Sequence, residues 1–286
     1  MLLTIDVGNT QTHLGAFDGA ELVQSWRVAT EAEATADELA VGLRGLLDLR
    51  GLEPGQLSAT AIASVVPRLS LEYRHMCTEY LGHECLMVAP GVKTGMPVLL
   101  ENPHELGADR LVNAVAAHER FGGGKGCAAG GSGGSAGASG SAGGTADGRR
   151  ADAGAPCAVV DFGTAITVDA VSAAGEYLGG VIAPGVQISM AALSERAARL
   201  PMVDFAAPES VIGRTTQAGL QSGMVYGFAG AIDAIVGRVA AELGAGARFV
   251  ATGGMASTIV PYCESIDEVD ELLTLTGLRL IHERNS

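Results

Sequence analysis

The chain is poor in aromatic residues and in positive charge. Phe, Trp and Tyr make up 4% of its 286 residues, whereas hydrophobic residues make up 48%, so the core must be aliphatic. Lys and Arg number 18 against 32 Asp and Glu, which gives a formal net charge of −14. Because an acidic surface repels phosphate backbones, nucleic acid is not expected as a partner. A nucleotide ligand remains compatible with this net charge, since a glycine loop or a bound cation can make the electrostatic potential positive locally.

The chain also lacks the paired spacings typical of redox and metal sites. Its five cysteines include no Cys-x-x-Cys pair, and its six histidines are scattered, so isolated free thiols in a reducing compartment are expected. The N-terminus has no basic region and Asp6 interrupts its apolar start, which argues against a signal peptide. No apolar run reaches the roughly 18 residues of a membrane span. We therefore expect a cytoplasmic protein with no membrane partner.

Length and composition predict two domains joined by an insertion. A chain of 286 residues fits one large or two medium domains. Residues 122–155 are dominated by Gly, Ser and Ala and have no periodicity, so they cannot bury enough apolar surface to offset their ordering entropy. The sequence thus predicts a first domain at 1–121, a flexible insertion at 122–155 and a second domain at 156–286.

One short motif occurs twice, once near the start of each predicted domain. Each copy is an apolar strand followed by Asp-x-Gly and hydroxyl-bearing residues; the copies are Asp6-Val7-Gly8-Asn9-Thr10-Gln11-Thr12-His13 and Asp161-Phe162-Gly163-Thr164-Ala165-Ile166-Thr167. A glycine in such a turn lets backbone N–H groups approach phosphate oxygens closely. An ordinary Asn/Gly turn would explain a single copy. Two copies predict two half-sites that face one polyanionic ligand.

The pattern around these motifs is that of an α/β protein. Each half opens with three extended segments and continues with alternating helices and strands, which predicts mixed sheets. The predicted elements of the first half are strands at 2–7, 12–17, 21–28, 59–66 and 84–88 and helices at 36–50 and 68–82. In the second half they are extended segments from 158 to 182, helices at 187–200 and 216–243, and a strand from 249. Glycines spaced three or four apart in the 216–243 helix form a stripe that suits close helix packing.

A further acidic residue stands at a predicted helix start. Asp109 follows Gly107 and precedes an apolar helix, so it is either a first-turn acid that favours the helix dipole or a carboxylate facing an open cleft. Arg110 can form an ion pair with a nearby acid such as Glu105, or bind a substrate carboxylate through its planar fork.

Six stretches in this order resemble one known family. They are 6–10, 105–110, 161–165, 179–185, 213–216 and 252–254. The doubled hairpin resembles the superfamily of actin, the heat-shock ATPases and the sugar kinases, which implies two ribonuclease-H-like (actin-like ATPase) domains with mixed β-sheets flanked by helices. Within it, the chain resembles the type III pantothenate kinases over nearly its whole length.

The resemblance implies a reaction and a set of site residues. The reaction is ATP-dependent phosphorylation of pantothenate, the first step of coenzyme A synthesis, with Asp109 as the general base. ATP is expected at the first hairpin and at Thr164; pantothenate at Gly107, Ala108, Asp109, Arg110 and Thr216; Mg²⁺ through water at Asp6; and K⁺ or NH₄⁺ at Asp161. Members of the family are homodimers that form the pantothenate pocket across the subunit interface.

One position departs from the family, and two alternative functions are considered. Leu100 stands where the family often has Tyr before Glu101-Asn102-Pro103, so a hydrogen bond to the substrate is lost there. The alternatives are another small-molecule kinase of the same superfamily and a non-catalytic regulatory accessory protein. The three aspartates argue against the second alternative.

Overall fold

A computed structural model describes residues 1–122, 154–197 and 200–286. Apart from its ends, the insertion predicted at 122–155 lies outside the described residues. The strands are β1 Leu2–Val7, β2 Gln11–Asp18, β3 Glu21–Ala29, β4 Ala59–Ser64, β5 Leu86–Met87, β6 Cys157–Phe162, β7 Ala165–Val171, β8 Tyr177–Pro184, β9 Arg248–Thr252 and β10 Glu268–Val269. The helices are α1 Ala36–Asp48, α2 Pro67–Met76, α3 Ala108–Ala117, α4 Val186–Arg196, α5 Thr216–Leu243, α6 Ala256–Ile259 and α7 Leu273–Glu283.

The described residues form two five-stranded sheets with the same topology. Their strand orders are β3-β2-β1-β4-β5 and β8-β7-β6-β9-β10. In each sheet the first three strands of the half are antiparallel and the next two join in parallel. Asp6 and Asp161 hold equivalent positions, each one residue before the end of the central strand. The predicted α/β class with mixed sheets is confirmed.

Helices fill three layers around the two sheets. The first sheet is covered on its outer face by α1 and α2, and the second by α4, α5 and α6. Helices α3 and α7 lie between the sheets in a central aliphatic core. They cross closely at Gly277, where a Cβ atom would lie 2.3 Å from the Val112 carbonyl oxygen. This central layer fixes the two sheets against each other and so sets the cleft described below.

Local sequence signals account for several element boundaries. Helix α1 begins after Thr35, whose hydroxyl accepts the Glu38 N–H while the Glu38 carboxylate accepts the Thr35 N–H at 2.9 Å. This reciprocal pair satisfies two otherwise unpaired helix-start donors. The turns at Gly19 and Gly175 have positive φ, as their hairpin positions require. Helix α4 ends at Arg196, four residues before the predicted end at 200.

Helix α5 matches the prediction in length but not in every property. One face is buried through Val225, Ala229, Ile232 and Val236, whereas Cβ atoms at the glycines of its stripe (Gly219, Gly223, Gly227 and Gly230) would meet no atom within 4 Å. Its length and hydropathy of 1.4 would allow it to cross a membrane, contrary to the expectation above. Alanine, valine, isoleucine and leucine raise the mean hydropathy of this helix, although glycines and polar residues interrupt them. One such helix is weak evidence of a span, since a core helix of a soluble protein meets the same criteria.

Candidate active site

The two Asp-x-Gly hairpins meet in one polar cleft of about 370 Å³. The Thr10 and Thr164 hydroxyls at their tips are hydrogen-bonded at 2.9 Å, although 154 residues separate them. Each turn is closed by a glycine N–H: Gly8 donates to the Gln11 carbonyl oxygen and Gly163 to the Ala165 carbonyl oxygen, both at 3.1 Å. Two loops of the same design therefore face a shared space, which is the geometry that a clamp for a polyphosphate requires.

Four carboxylates line this cleft: Asp6, Asp109, Asp161 and Glu271. Burial raises the pKa of Asp6 well above its usual value, and the charges of Asp109 and Asp161 raise it further. Burial, with the charges of Asp109 and Asp169, raises the pKa of Asp161 to about 7. No described side chain or backbone group donates a hydrogen bond to Asp6. Buried acids with so few donors are suited to balancing a cation.

Asp109 lies in the first turn of α3 at the edge of the cleft. Its Oδ1 accepts the Arg110 backbone N–H at 2.8 Å, and a Cβ at Gly107 would lie 2.5 Å from the same oxygen. Burial raises the pKa of Asp109, with a smaller contribution from the charge of Asp169. A glycine is thus required at the helix start for the carboxylate to take this position. The carboxylate both interacts with the helix start and faces the cleft, so the two sequence interpretations describe one geometry.

Arg110 is held by an acid that the sequence did not suggest. Its Nε and Nη2 donate to Oδ1 of Asp169 at 2.8 and 2.6 Å, and Tyr177 donates to the same oxygen at 2.5 Å. Thr167 donates to Oδ2 at 2.9 Å. Glu105 instead accepts from Asn102 at 2.8 Å, so it is not the partner of Arg110. Asp169 is fully buried, and its four donors compensate its charge.

Asp161 is anchored from the central helix layer. The Asn113 amide donates to Asp161 Oδ2 at 3.1 Å, and the Thr274 hydroxyl donates to Asn113 Oδ1 at 2.7 Å. Asn113 belongs to α3 and Thr274 to α7, so both helices between the sheets contribute to this contact. The hydrogen bond from Asn113 lowers the pKa of Asp161, against the larger effect of burial. These two hydrogen bonds hold the Asp161 side chain in one orientation and leave its Oδ1 for another partner.

The glycine turn after β9 closes the cleft on the second sheet. Gly253 has φ +92°, and a Cβ there would lie 2.4 Å from Asp161 Oδ1 and 2.7 Å from the Phe162 backbone. Any side chain at this position would therefore displace the second hairpin. Thr252 and Gly254 also line the cleft. The close approach of Gly253 is therefore to Asp161 and Phe162 of the second hairpin.

The other predicted site residues divide between cleft and surroundings. Gly8, Asn9, Gln11 and His13 line the cleft with the residues already described. Val7 packs in the outer core of the first sheet and Thr12 lies on the same side, as strand alternation requires. Gly107 and Ala108 lie at the start of α3. Thr216 opens α5 outside the lining of this cleft, and the N-cap of that helix is Thr215, which accepts the Ala218 N–H at 3.1 Å.

Sequence reasoning missed several residues at the site: Arg27, Asn113, Asp169, Glu271 and Thr274. Asn113 and Asp169 carried a usable signal, since each is a polar residue within an apolar segment, and a buried polar group requires a partner. Leu100, the departure from the family, is half-buried against the central core. Among the residues in the described ranges, no three His, Cys, Asp or Glu side chains form a ready metal site. Mg²⁺ does not require one, because one or two carboxylates plus phosphate oxygens suffice.

The duplicated sheets and their paired hairpins define a class of fold, that of the actin-like ATPases and sugar kinases. Solved structures agree: a putative N-acetylmannosamine kinase from Listeria monocytogenes aligns with TM-score 0.52 at 9% identity over 100% of this chain and 99% of its own. A conserved putative Baf family transcriptional activator from Campylobacter jejuni aligns with TM-score 0.51 at 15% identity over 99% and 97%. Identities this low support the fold alone.

Sequence comparison then identifies the family. The family model described as type III pantothenate kinase matches residues 2–129 and 145–238. A type III pantothenate kinase of Anaeromyxobacter sp. (strain K) is 50% identical over 285 residues, covering 100% of both chains. One from Moorella thermoacetica is 46% identical over 286 residues, again covering 100% of both. The chain belongs to the type III pantothenate kinase family.

Proposed function

We propose that the protein transfers the γ-phosphoryl group of ATP to the primary hydroxyl of pantothenate, giving 4′-phosphopantothenate and ADP, the first step of coenzyme A synthesis. The observation that carries this proposal is the meeting of two Asp-x-Gly hairpins and Asp109 in one cleft, in a chain of this family. Phosphoryl transfer needs an oriented nucleophile and charge stabilisation rather than covalent help from the protein. In this cleft, Asp109 can orient the hydroxyl nucleophile, and the two hairpins can surround the phosphates.

Asp109 acts as the general base. Its carboxylate takes the proton of the pantothenate hydroxyl as the hydroxyl oxygen bonds to the γ-phosphorus and the bond from that phosphorus to the β–γ bridging oxygen breaks. Burial raises the pKa of Asp109, which brings it closer to the working pH and makes it a stronger base. The Arg110 N–H holds one carboxylate oxygen at 2.8 Å, which leaves the other for the substrate proton.

Two cations complete the charge balance. Asp6 holds Mg²⁺ through water, since it lines the cleft and accepts no hydrogen bond from the described residues. Asp161 would hold K⁺ or NH₄⁺, because burial and the charges of Asp109 and Asp169 disfavour its ionised form and a cation beside it would offset that charge. When bound, Mg²⁺ neutralises charge on the phosphate oxygens and orients them. The chain itself contributes the hairpin N–H groups and hydroxyls that surround the triphosphate.

Arg110 binds the pantothenate carboxylate with the donors that Asp169 does not use. Asp169 occupies the edge formed by Nε and Nη2, and the side chain remains 16% exposed, so Nη1 is available. The buried Asp169 keeps the guanidinium in one orientation. Gly107 and Ala108 bring their backbone N–H groups close to the same substrate.

The protein is a homodimer in which the glycine face of α5 packs against a second copy. That face presents open glycines at Gly219, Gly223, Gly227 and Gly230, and exposed apolar side chains occur nearby in sequence, including Val211 at 63% and Ile212 at 82%. Thr216 then contributes to a substrate pocket shared between subunits, and α5 needs no membrane to cover its apolar surface. In sedimentation, Gly223→Glu should give a monomer, whereas Gly45→Glu, at an equally open glycine of α1, should not.

The decisive experiment is turnover by the purified protein. ATP and pantothenate with Mg²⁺ and K⁺ should yield ADP and 4′-phosphopantothenate in equal amounts, and replacing K⁺ by Na⁺ at fixed ionic strength should lower the rate. A panel of other hydroxyl and carboxylate substrates tests the alternative of a different small-molecule kinase. ATP hydrolysis or transfer to another acceptor, with none to pantothenate, would refute the assignment.

A further inference from the structure

Three adjacent strands of the first sheet present a polar row to the cleft. Asp6 of β1 lies opposite His13 of β2, and His13 lies opposite Arg27 of β3. Cross-strand partners share one face of a sheet, and all three residues line the cleft. Their neighbours Leu14 and Trp26 point the other way, into the outer core. The register of the sheet therefore holds Arg27 on the cleft side of its edge strand.

Arg27 is the one Lys or Arg among the described residues that line this cleft. The lining acids are Asp6, Asp109, Asp161 and Glu271. A triphosphate entering this space meets four acids and a single Lys or Arg side chain. Phosphoryl transfer requires that the charge on the phosphate oxygens be neutralised.

The present partner of Arg27 can be exchanged at little cost. Its Nη2 lies 3.5 Å from both Oε2 and the backbone carbonyl oxygen of Glu271, and the two side chains are 35% and 47% exposed. An exposed pair at that distance is weak. Arg110, by contrast, is held at 2.6–2.8 Å by a fully buried carboxylate. Of the two arginines, Arg27 is the one free to turn toward a ligand.

We propose that Arg27 binds the terminal phosphates of ATP, exchanging its contact with Glu271 for phosphate oxygens. Charge-assisted hydrogen bonds to phosphate are shorter and stronger than the contact they replace. Glu271 follows β10 in the second half of the chain, so the exchange also exposes a carboxylate at the mouth of the cleft when nucleotide enters. The inference rests on the proposed function only in taking ATP as the phosphoryl donor.

The test compares ATP and adenosine as ligands of Arg27→Gln, Arg27→Lys and the native protein. Calorimetric titration should give about 10- to 100-fold weaker ATP binding for Arg27→Gln, unchanged adenosine binding, and an intermediate ATP affinity for Arg27→Lys. Arg44→Gln is the matched control. It removes the same charge from an exposed ion pair with Asp48 at 2.9 Å, outside the cleft, and should change neither affinity. Glu271→Gln should bind ATP no more weakly than the native protein.

Each outcome separates the inference from the proposed function. Equal weakening of ATP and adenosine in Arg27→Gln would assign Arg27 a purely structural role and overturn the inference, as would unchanged ATP affinity. If Arg27→Gln fails to fold, the ATP affinity of Arg27→Lys tests the inference instead. Lysine keeps the positive charge but lacks the planar guanidinium that donates two parallel hydrogen bonds. A native protein that binds ATP without phosphorylating pantothenate would refute the proposed function, and the ATP and adenosine titrations would still test Arg27.

Discussion

The proposed activation by K⁺ at Asp161 should weaken as the pH falls, because protons would compete with the cation for this carboxylate. Burial and two neighbouring carboxylates raise the pKa of Asp161 to about 7, and K⁺ binds the ionised form. With that pKa, the K⁺ concentration for half-maximal activity should rise about twofold from pH 8 to pH 7 and about tenfold from pH 8 to pH 6. At pH 6 only about a tenth of Asp161 is ionised, which accounts for the higher K⁺ concentration needed.

The assay measures the rate against K⁺ concentration at three pH values, with tetramethylammonium chloride holding the ionic strength constant. Each curve is normalised to its own maximum, so that protonation of Asp109, the proposed base, would lower the maximum rate without shifting the half-saturating K⁺ concentration. Asn113→Leu removes the hydrogen bond that lowers the pKa of Asp161, so the same weakening should begin at a higher pH. A half-saturating K⁺ concentration that is the same at pH 6 and pH 8 would refute this reasoning.

Three further predictions concern catalysis, stability and packing. Asp109→Asn should keep the fold and ATP affinity but lower kcat by about 10²–10⁴, whereas Glu105→Gln, an exposed acid nearby, should not; near-normal turnover of Asp109→Asn would contradict its role as base. In cation-free buffer the native protein should lose stability relative to Asp161→Asn as pH rises from about 4 to about 7, because its folded state keeps a proton that the unfolded chain has released; parallel calorimetric Tm curves would contradict this. Gly277→Val should cost about 1–3 kcal/mol by overpacking, measured by urea unfolding, because a Cβ there meets the Val112 carbonyl at 2.3 Å; a midpoint equal to that of the native protein would contradict the close crossing.

Much of the fold followed from local patterns. Neighbouring residues determine three features that the structure shows: the apolar strand before each Asp-x-Gly, the Thr35 cap of α1 and the full extent of α5. Helix α7 was not predicted, although its apolar stripe fits the period of a helix. The exposure of the glycine face of α5 could not be predicted either, because whether a neighbour covers a helix face depends on distant parts of the chain.

The hydrogen-bond and ion-pair partners of the site residues could not be predicted from the sequence either. Arg110 pairs with Asp169 rather than with Glu105, which is closer in sequence. Asp161 is held by Asn113, and Arg27 meets Glu271. These pairs join separate strands and helices, so no local pattern marks them. A buried polar residue in an apolar segment indicates that some partner exists, but it does not indicate which one.

By itself, the sequence determined the chemistry that the chain carries. Two Asp-x-Gly turns and an aspartate at a helix start are local features, because turn conformation and helix capping depend on a few adjacent residues. Only the tertiary structure decided how these features work together: it joins the two hairpins at Thr10 and Thr164, and it raises the pKa values of three aspartates to different extents. Burial and charge–charge energies depend on distances in space, and those distances are set by how α3 and α7 hold the two sheets.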